Sequence, residues 1–202
     1  MVSALEALDR LREGNQHFVE DKQRGHSVST RPAEIADEQQ PFAIILGCSD
    51  SRVPAEIIFD QGLGDLFVIR VAGNIVASSQ IGSIEFAATK LGTRLVVVLG
   101  HSRCGAVLAA VEQFQAPTDS HSRHLRSIVD FIRPSVEYCL ATNGDDDHDA
   151  LVEKAVRANI QNSVEHLRHG SEILEEMIYE DRLRIIGAEY SLETGLVEFF
   201  DS

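Results

Sequence analysis

The chain has 202 residues, 44% of them hydrophobic, a formal net charge of −14 and three cysteines. That length and apolar share support one domain with its own core, and the negative charge sets nucleic acid and anionic membranes aside as partners. No apolar run reaches about 18 residues, so no membrane span is expected; the acidic start Met1–Arg10 lacks a signal-peptide core, and few, odd cysteines fit a reducing cytoplasm better than a disulfide framework.

Residues 3–22 read as an amphipathic helix. Ser3 and Glu6 make a capping box, and Leu5, Leu8, Leu11, Asn15, Phe18 and Val19 mark one face. Residues 23–41 are polar and proline-punctuated, a loop with a short helix around 33–38. Phe42–Leu46 reads as a buried strand, residues 55–59 as a short helix and Phe67–Val71 as a second strand broken at Gly73-Asn74. A helix over 78–91 stops at Gly92. Leu95–Leu99 is a third strand, followed by a helix from Gly105 to about Phe114.

Residues 115–123 are a polar connection. His121 and His124 suggest a second metal pair, but a solvated turn accounts for them more simply. Residues 124–140 are helical with an interruption at Pro134, and Cys139 there is read as packing. Asn143–Asp149 lacks the spaced ligands of a calcium loop. Residues 149–169 and 171–179 are helices. Leu183–Leu192 and Leu196–Phe200 flank Glu193-Thr194-Gly195 as strand and hairpin. Strands alternating with helices give an α/β fold. Its mostly parallel sheet has about four strands, near 42–46, 67–71, 95–99 and 183–188, with a C-terminal edge strand added. The chain reads as one domain, 1–202, with an N-terminal helical arm and loop (1–40) and an α/β core (41–202).

Two stretches carry the chemistry. Gly47-Cys48-Ser49-Asp50-Ser51-Arg52-Val53-Pro54 follows the first strand, and Gly100-His101-Ser102-Arg103-Cys104-Gly105-Ala106 follows the third. Ligands bind past the carboxyl ends of strands in open α/β sheets. If those strands are neighbours, Cys48, His101 and Cys104 converge. Two thiolates and an imidazole suit zinc with a fourth position open for water or substrate, which marks a catalytic site rather than a structural one. Alternating spacing in an extended loop sets Cys48, Asp50 and Arg52 on one side. Arg52 can then clamp the Asp50 carboxylate with its fork, and the held carboxylate can orient a zinc-bound water.

Cys48-Ser49-Asp50-Ser51-Arg52 with His101-Ser102-Arg103-Cys104-Gly105 closely resembles the beta-class carbonic anhydrases. Val53-Pro54-Ala55-Glu56, Asp65–Asn74, Gly82–Ala87 and Gly187-Ala188-Glu189-Tyr190 extend the likeness over about residues 3–200. The resemblance implies one Zn2+ per subunit and reversible hydration of carbon dioxide to bicarbonate and a proton by attack of zinc-bound hydroxide. It also implies a homodimer or dimer of dimers, with the N-terminal helix reaching to a partner. Asp50 is implied as a switch, either held by Arg52 or ligating the metal itself. Gln39, Phe67 and Phe86 are implied as substrate-pocket residues, some serving the neighbour's zinc. A subgroup of the family places a tryptophan where Ile45 stands. This chain has no tryptophan, so an open site is expected around pH 7.5 even though Tyr190 matches another residue of that subgroup's second pocket.

Three rival readings remain at this level. A hydrolase of carbon disulfide or carbonyl sulfide uses a similar scaffold. A zinc-binding bicarbonate sensor would bind without turnover. A redox protein would join Cys48 and Cys104 reversibly and need no metal.

Overall fold

The computed structural model describes residues 2–21, 36, 38–116, 122–142 and 147–200. The apolar runs form strands β1 (Ala43–Gly47), β2 (Leu66–Arg70), β3 (Leu95–His101), β4 (Arg184–Tyr190) and β5 (Val197–Phe200). They make one sheet in the order β2-β1-β3-β4-β5. β1 lies parallel to β2 and β3, and β3 parallel to β4, while β5 joins β4 antiparallel. The four-strand parallel expectation and the added edge strand both hold.

Helices α1 (Ala4–Val19), α2 (Ala55–Ile58), α3 (Ser78–Lys90), α4 (Gly105–Gln115), α5 (Arg123–Thr142), α6 (His148–His169) and α7 (Glu172–Tyr179) cover the two faces. Every residue of β1 and β3 is buried, so their side chains alternate between two cores rather than between core and water. Ile44, Leu46, Val96 and Val98 face Ile84, Ile132, Ile160 and Val164. Ala43, Ile45, Val97 and Leu99 face Ala7, Leu8 and Leu11 of α1 and Ile58 and Phe59 at α2. Among the described residues, no helix is long and apolar enough to cross a membrane.

Two local expectations change. α1 has the Ser3–Glu6 capping box, but its buried face is rotated, and Leu5 is 61% exposed. The helix approaches through Gly14, where a Cβ would fall 1.8 Å from the Phe59 carbonyl oxygen. That close contact selects the Ala7–Leu11–Gly14 side. α5 runs unbroken through Pro134. Proline removes one helical hydrogen bond, but Val129, Ile132, Val136 and Cys139 are all buried on one side of it, and their packing holds the helix across the gap. Most of the short helix expected near 33–38, His121 and most of the Asn143–Asp149 turn lie outside the described residues. His124 is exposed on α5.

Candidate metal centre

Because β1 and β3 are adjacent and in register from Ile44↔Val96 to Gly47↔Leu99, the loops after them meet at one sheet end. Cys48 follows β1, His101 closes β3, and Cys104 stands directly before α4. One ligand atom from each lies within 4.8 Å of the others, and all three residues are buried. The sulfurs of Cys48 and Cys104 are 4.0 Å apart. Tetrahedral zinc with bonds of about 2.3 Å to sulfur holds two sulfurs roughly 3.8 Å apart, so the pair fits one ion. The three cysteines are free, and a disulfide would need the two sulfurs at about 2.05 Å.

His101 is fully buried. Its Nδ1 is 2.9 Å from the Ser102 carbonyl oxygen; a carbonyl only accepts, so Nδ1 carries the proton. Nε2 is then left as a buried acceptor with no hydrogen-bond partner among the described residues. An orphaned acceptor between two sulfurs is a donor set awaiting a cation. The hydrogen bond with Cys104 lowers the Cys48 thiol to about 4, outweighing burial. Cys104 is pushed up, first by that same contact and then by burial. Burial alone would lower the His101 pKa, but the nearby Cys48 sulfur raises it. Negative charge thus falls on the Cys48 sulfur, beside Cys104 and His101.

The loop after Cys48 is pinned from several sides. Arg70 Nε donates to the Cys48 carbonyl at 3.0 Å and its Nη2 to the Asp50 carbonyl at 2.6 Å. The Gly73 amide donates to Cys48 Sγ at 3.4 Å. Gly73 sits at φ +71 inside the 3-10 turn Ala72–Asn74, and a Cβ there would meet Ile132 Cδ1 at 2.8 Å. α6 braces this turn: Asn159 Nδ2 donates to the Gly73 carbonyl at 2.8 Å and Ser163 Oγ to the Asn74 carbonyl at 3.0 Å. None of these supports was singled out from the sequence. Asn159 carried a usable signal, as a polar residue inside the apolar stripe of Val156, Ile160 and Val164.

Asp50 is held by Arg52 in a fork. Nε donates to Oδ1 at 3.0 Å, Nη2 to Oδ2 at 2.8 Å, and the Arg52 backbone amide also reaches Oδ1 at 3.0 Å. The guanidinium holds the Asp50 carboxyl well below the usual carboxylate range. Asp50 Oδ2 remains 3.9 Å from His101 Nε2. Asp50 is outside the three-residue cluster, its carboxylate taken up by arginine.

Of the three pocket residues, Phe67 lies opposite Ile44, three register positions before Gly47. Phe67 on β2 and Phe86 on α3 pack together, ring centroids 6.3 Å apart, and Phe86 is 48% exposed. Gln39 is exposed and precedes β1, lining a cavity with Phe42, Lys90 and Thr93. β1 separates it from Cys48 by five strand residues, roughly 17 Å at about 3.3 Å per residue. Cys139 is buried on α5 and is not one of the three clustered ligand residues.

Comparison with known proteins agrees with this geometry. A family model for carbonic anhydrase matches residues 43–197. Carbonic anhydrase 2 of Mycobacterium tuberculosis is 41% identical over 186 residues, covering 92% of this chain and 87% of that protein. Mycolicibacterium smegmatis carbonic anhydrase is 36% identical over 192 residues, covering 93% and 89%. Among solved structures, the beta-carbonic anhydrase CcaA superposes with a TM-score of 0.76 at 27% identity, covering 96% of this chain and 87% of that one.

Proposed function

The chain belongs to the beta class of the carbonic anhydrase family, enzymes of carbon dioxide hydration, and from that premise we propose that its reaction runs on one zinc ion per subunit held by Cys48, His101 and Cys104. The observation that carries this is the convergence of the three ligand atoms within 4.8 Å. Bound zinc would supply the Lewis acidity that makes hydroxide available near neutral pH.

The chain's own residues do the rest. The Ser102 carbonyl fixes the His101 tautomer so that Nε2 is the ligating atom. The Gly73 amide stabilises negative charge on Cys48 Sγ. Arg52 keeps the Asp50 carboxylate turned outward and ionised. Held there, Asp50 accepts the hydrogen bond of the attacking water and aims its lone pair at the substrate carbon. With the arginine released, the same carboxylate can swing to the metal and close the site.

Phe67 and Phe86 offer an apolar wall suited to carbon dioxide, which has no net dipole. β2 is a half-buried edge strand, and Gln39 stands at the opposite end of β1 from its own metal loop. Both features support a homodimer, or a dimer of dimers, in which Gln39 serves a second copy's site. The free cysteines fit a reducing compartment, and we assign the protein to the cytoplasm. Metal analysis of the freshly purified protein, with stopped-flow carbon dioxide hydration before and after chelation, tests the reading. Near-stoichiometric zinc and chelator-sensitive turnover are expected; full turnover in protein free of metal would overturn it.

A further inference from the structure

The loop bearing His101 and Cys104 contains a backbone conformation that needs external support. Arg103, between the two ligands, has φ +54, the left-handed region that a side chain with a Cβ disfavours. The support comes from one residue in the turn between β4 and β5. Glu193 Oε2 accepts from Ser102 Oγ at 2.8 Å, and Glu193 Oε1 accepts from Arg103 Nε at 2.7 Å. The two oxygens of one carboxylate therefore grip the two consecutive residues that separate the metal ligands. Ser102 Oγ in turn accepts from the Leu192 amide at 2.9 Å, and the Ser102 amide donates to the Tyr190 carbonyl at 3.0 Å. The Ser102 carbonyl then orients His101 through Nδ1.

This carboxylate is poorly placed to serve stability. The Glu193 side chain is 43% exposed and that of Arg103 is 74% exposed, and ion pairs that open to water add little to folding. Its geometry is nonetheless specific: two oxygens, two adjacent residues and one strained turn. The same hairpin turn is tied to α1, where Asn15 Nδ2 donates to the Gly195 carbonyl at 2.9 Å and Asn15 Oδ1 accepts from the Val197 amide at 2.8 Å. The clamp thus stands on a fixed base.

We propose that Glu193 is a positioning residue for the metal centre, holding the His101–Cys104 turn in its ligating shape and so setting how tightly the ion is kept. The proposal rests on the zinc ligation proposed above. Loss of groups that orient metal ligands typically costs about 10–100-fold in metal affinity. The test is the rate at which zinc-loaded protein yields its metal to a colorimetric chelator. Glu193→Ala should release zinc about 10-fold faster than the parent while its Tm stays within about 4 °C. Glu193→Gln should lie between, because its carboxamide oxygen can still accept from Ser102 while its NH2 cannot accept from Arg103. Glu198→Gln removes an exposed partner of Arg157 on β5 of the same hairpin, and should release zinc at the parent's rate. Parental release by Glu193→Ala, or equally fast release by Glu198→Gln, overturns the positioning role alone. Parent protein without stoichiometric zinc overturns the ligation itself and this role with it.

Discussion

Asp50 faces Arg52 and not the Cys48–His101–Cys104 cluster: its Oδ2 is 2.8 Å from Arg52 Nη2 but 3.9 Å from His101 Nε2. The arginine fork therefore sets where the carboxylate sits. Replacing Arg52 with alanine removes two of the three contacts that restrain the Asp50 carboxylate and leaves one, the backbone amide bond. Arg52→Ala should lower kcat/KM by about 100-fold, the low end of what a positioned proton-handling group contributes, with zinc content unchanged. The cobalt-substituted variant should show an altered ligand-field spectrum as the carboxylate moves in. Parental turnover in Arg52→Ala would show that the fork is an ordinary surface pair.

Activity should rise from pH 6.5 to 9. Two thiolates and a neutral imidazole would cancel the formal charge of a divalent cation held there, and the solvent it activates would be less acidic than beside three imidazoles. Asp50 cannot shape this limb. Its folded pKa is depressed, so the carboxylate is ionised throughout that range, and what the clamp adds to stability is present above the ordinary carboxylate pKa and lost only as pH falls through the depressed value. Stopped-flow rates across the range check the point; a flat profile would contradict it. Asp50→Asn should lower the whole curve without moving its midpoint.

The ligand loops could be read from the sequence because they combine two local signals: an apolar run ending in glycine, and Cys and His at the strand end. Sheet order then did the rest, since adjacency of β1 and β3 brings together Cys48 and Cys104, which are 56 positions apart. Apart from Asn159, a polar residue in an apolar stripe, the supports were not readable because each is a tertiary contact between ordinary residue types. Arg70, Gly73, Ser163 and Glu193 gain their meaning only when β2, α6 and the β4–β5 turn are laid beside the loops. Pro134 misled in the opposite direction, since a local helix breaker yielded to packing on its buried side. Gln39, only nine positions before Cys48, is near it in sequence but at the far end of the strand in space.

Stripping the metal should destabilise the fold measurably. Without a cation, His101 Nε2 is a buried acceptor with no hydrogen-bond partner among the described residues, and the Cys48 sulfur holds negative charge in a buried site beside a Cys104 thiol kept protonated. An ion that binds only the folded state adds to its stability by mass action. Chelation should lower Tm by several degrees, and re-addition of zinc should restore it. Cys48→Ser should start from the lower value and ignore the chelator. Equal Tm with and without metal in the parent would mean the site contributes nothing to folding.

Asn159 should prove as important to the centre as residues that touch it. It lies 1% exposed on α6, and its amide is the donor found on the Gly73 carbonyl, the residue whose own amide faces Cys48 Sγ. Asn159→Leu keeps similar bulk but leaves that carbonyl buried and unpaired, at a cost of about 1–3 kcal/mol. The substitution also frees the 3-10 turn that aims the Gly73 amide at sulfur. Urea unfolding should therefore show a lower midpoint with an unchanged m-value, and zinc affinity by chelator competition should fall as well. Asn159→Asp retains an acceptor but no amide donor and should behave like leucine on both measurements. If the affinity is intact while stability falls, α6 supports the fold without reaching the sulfur.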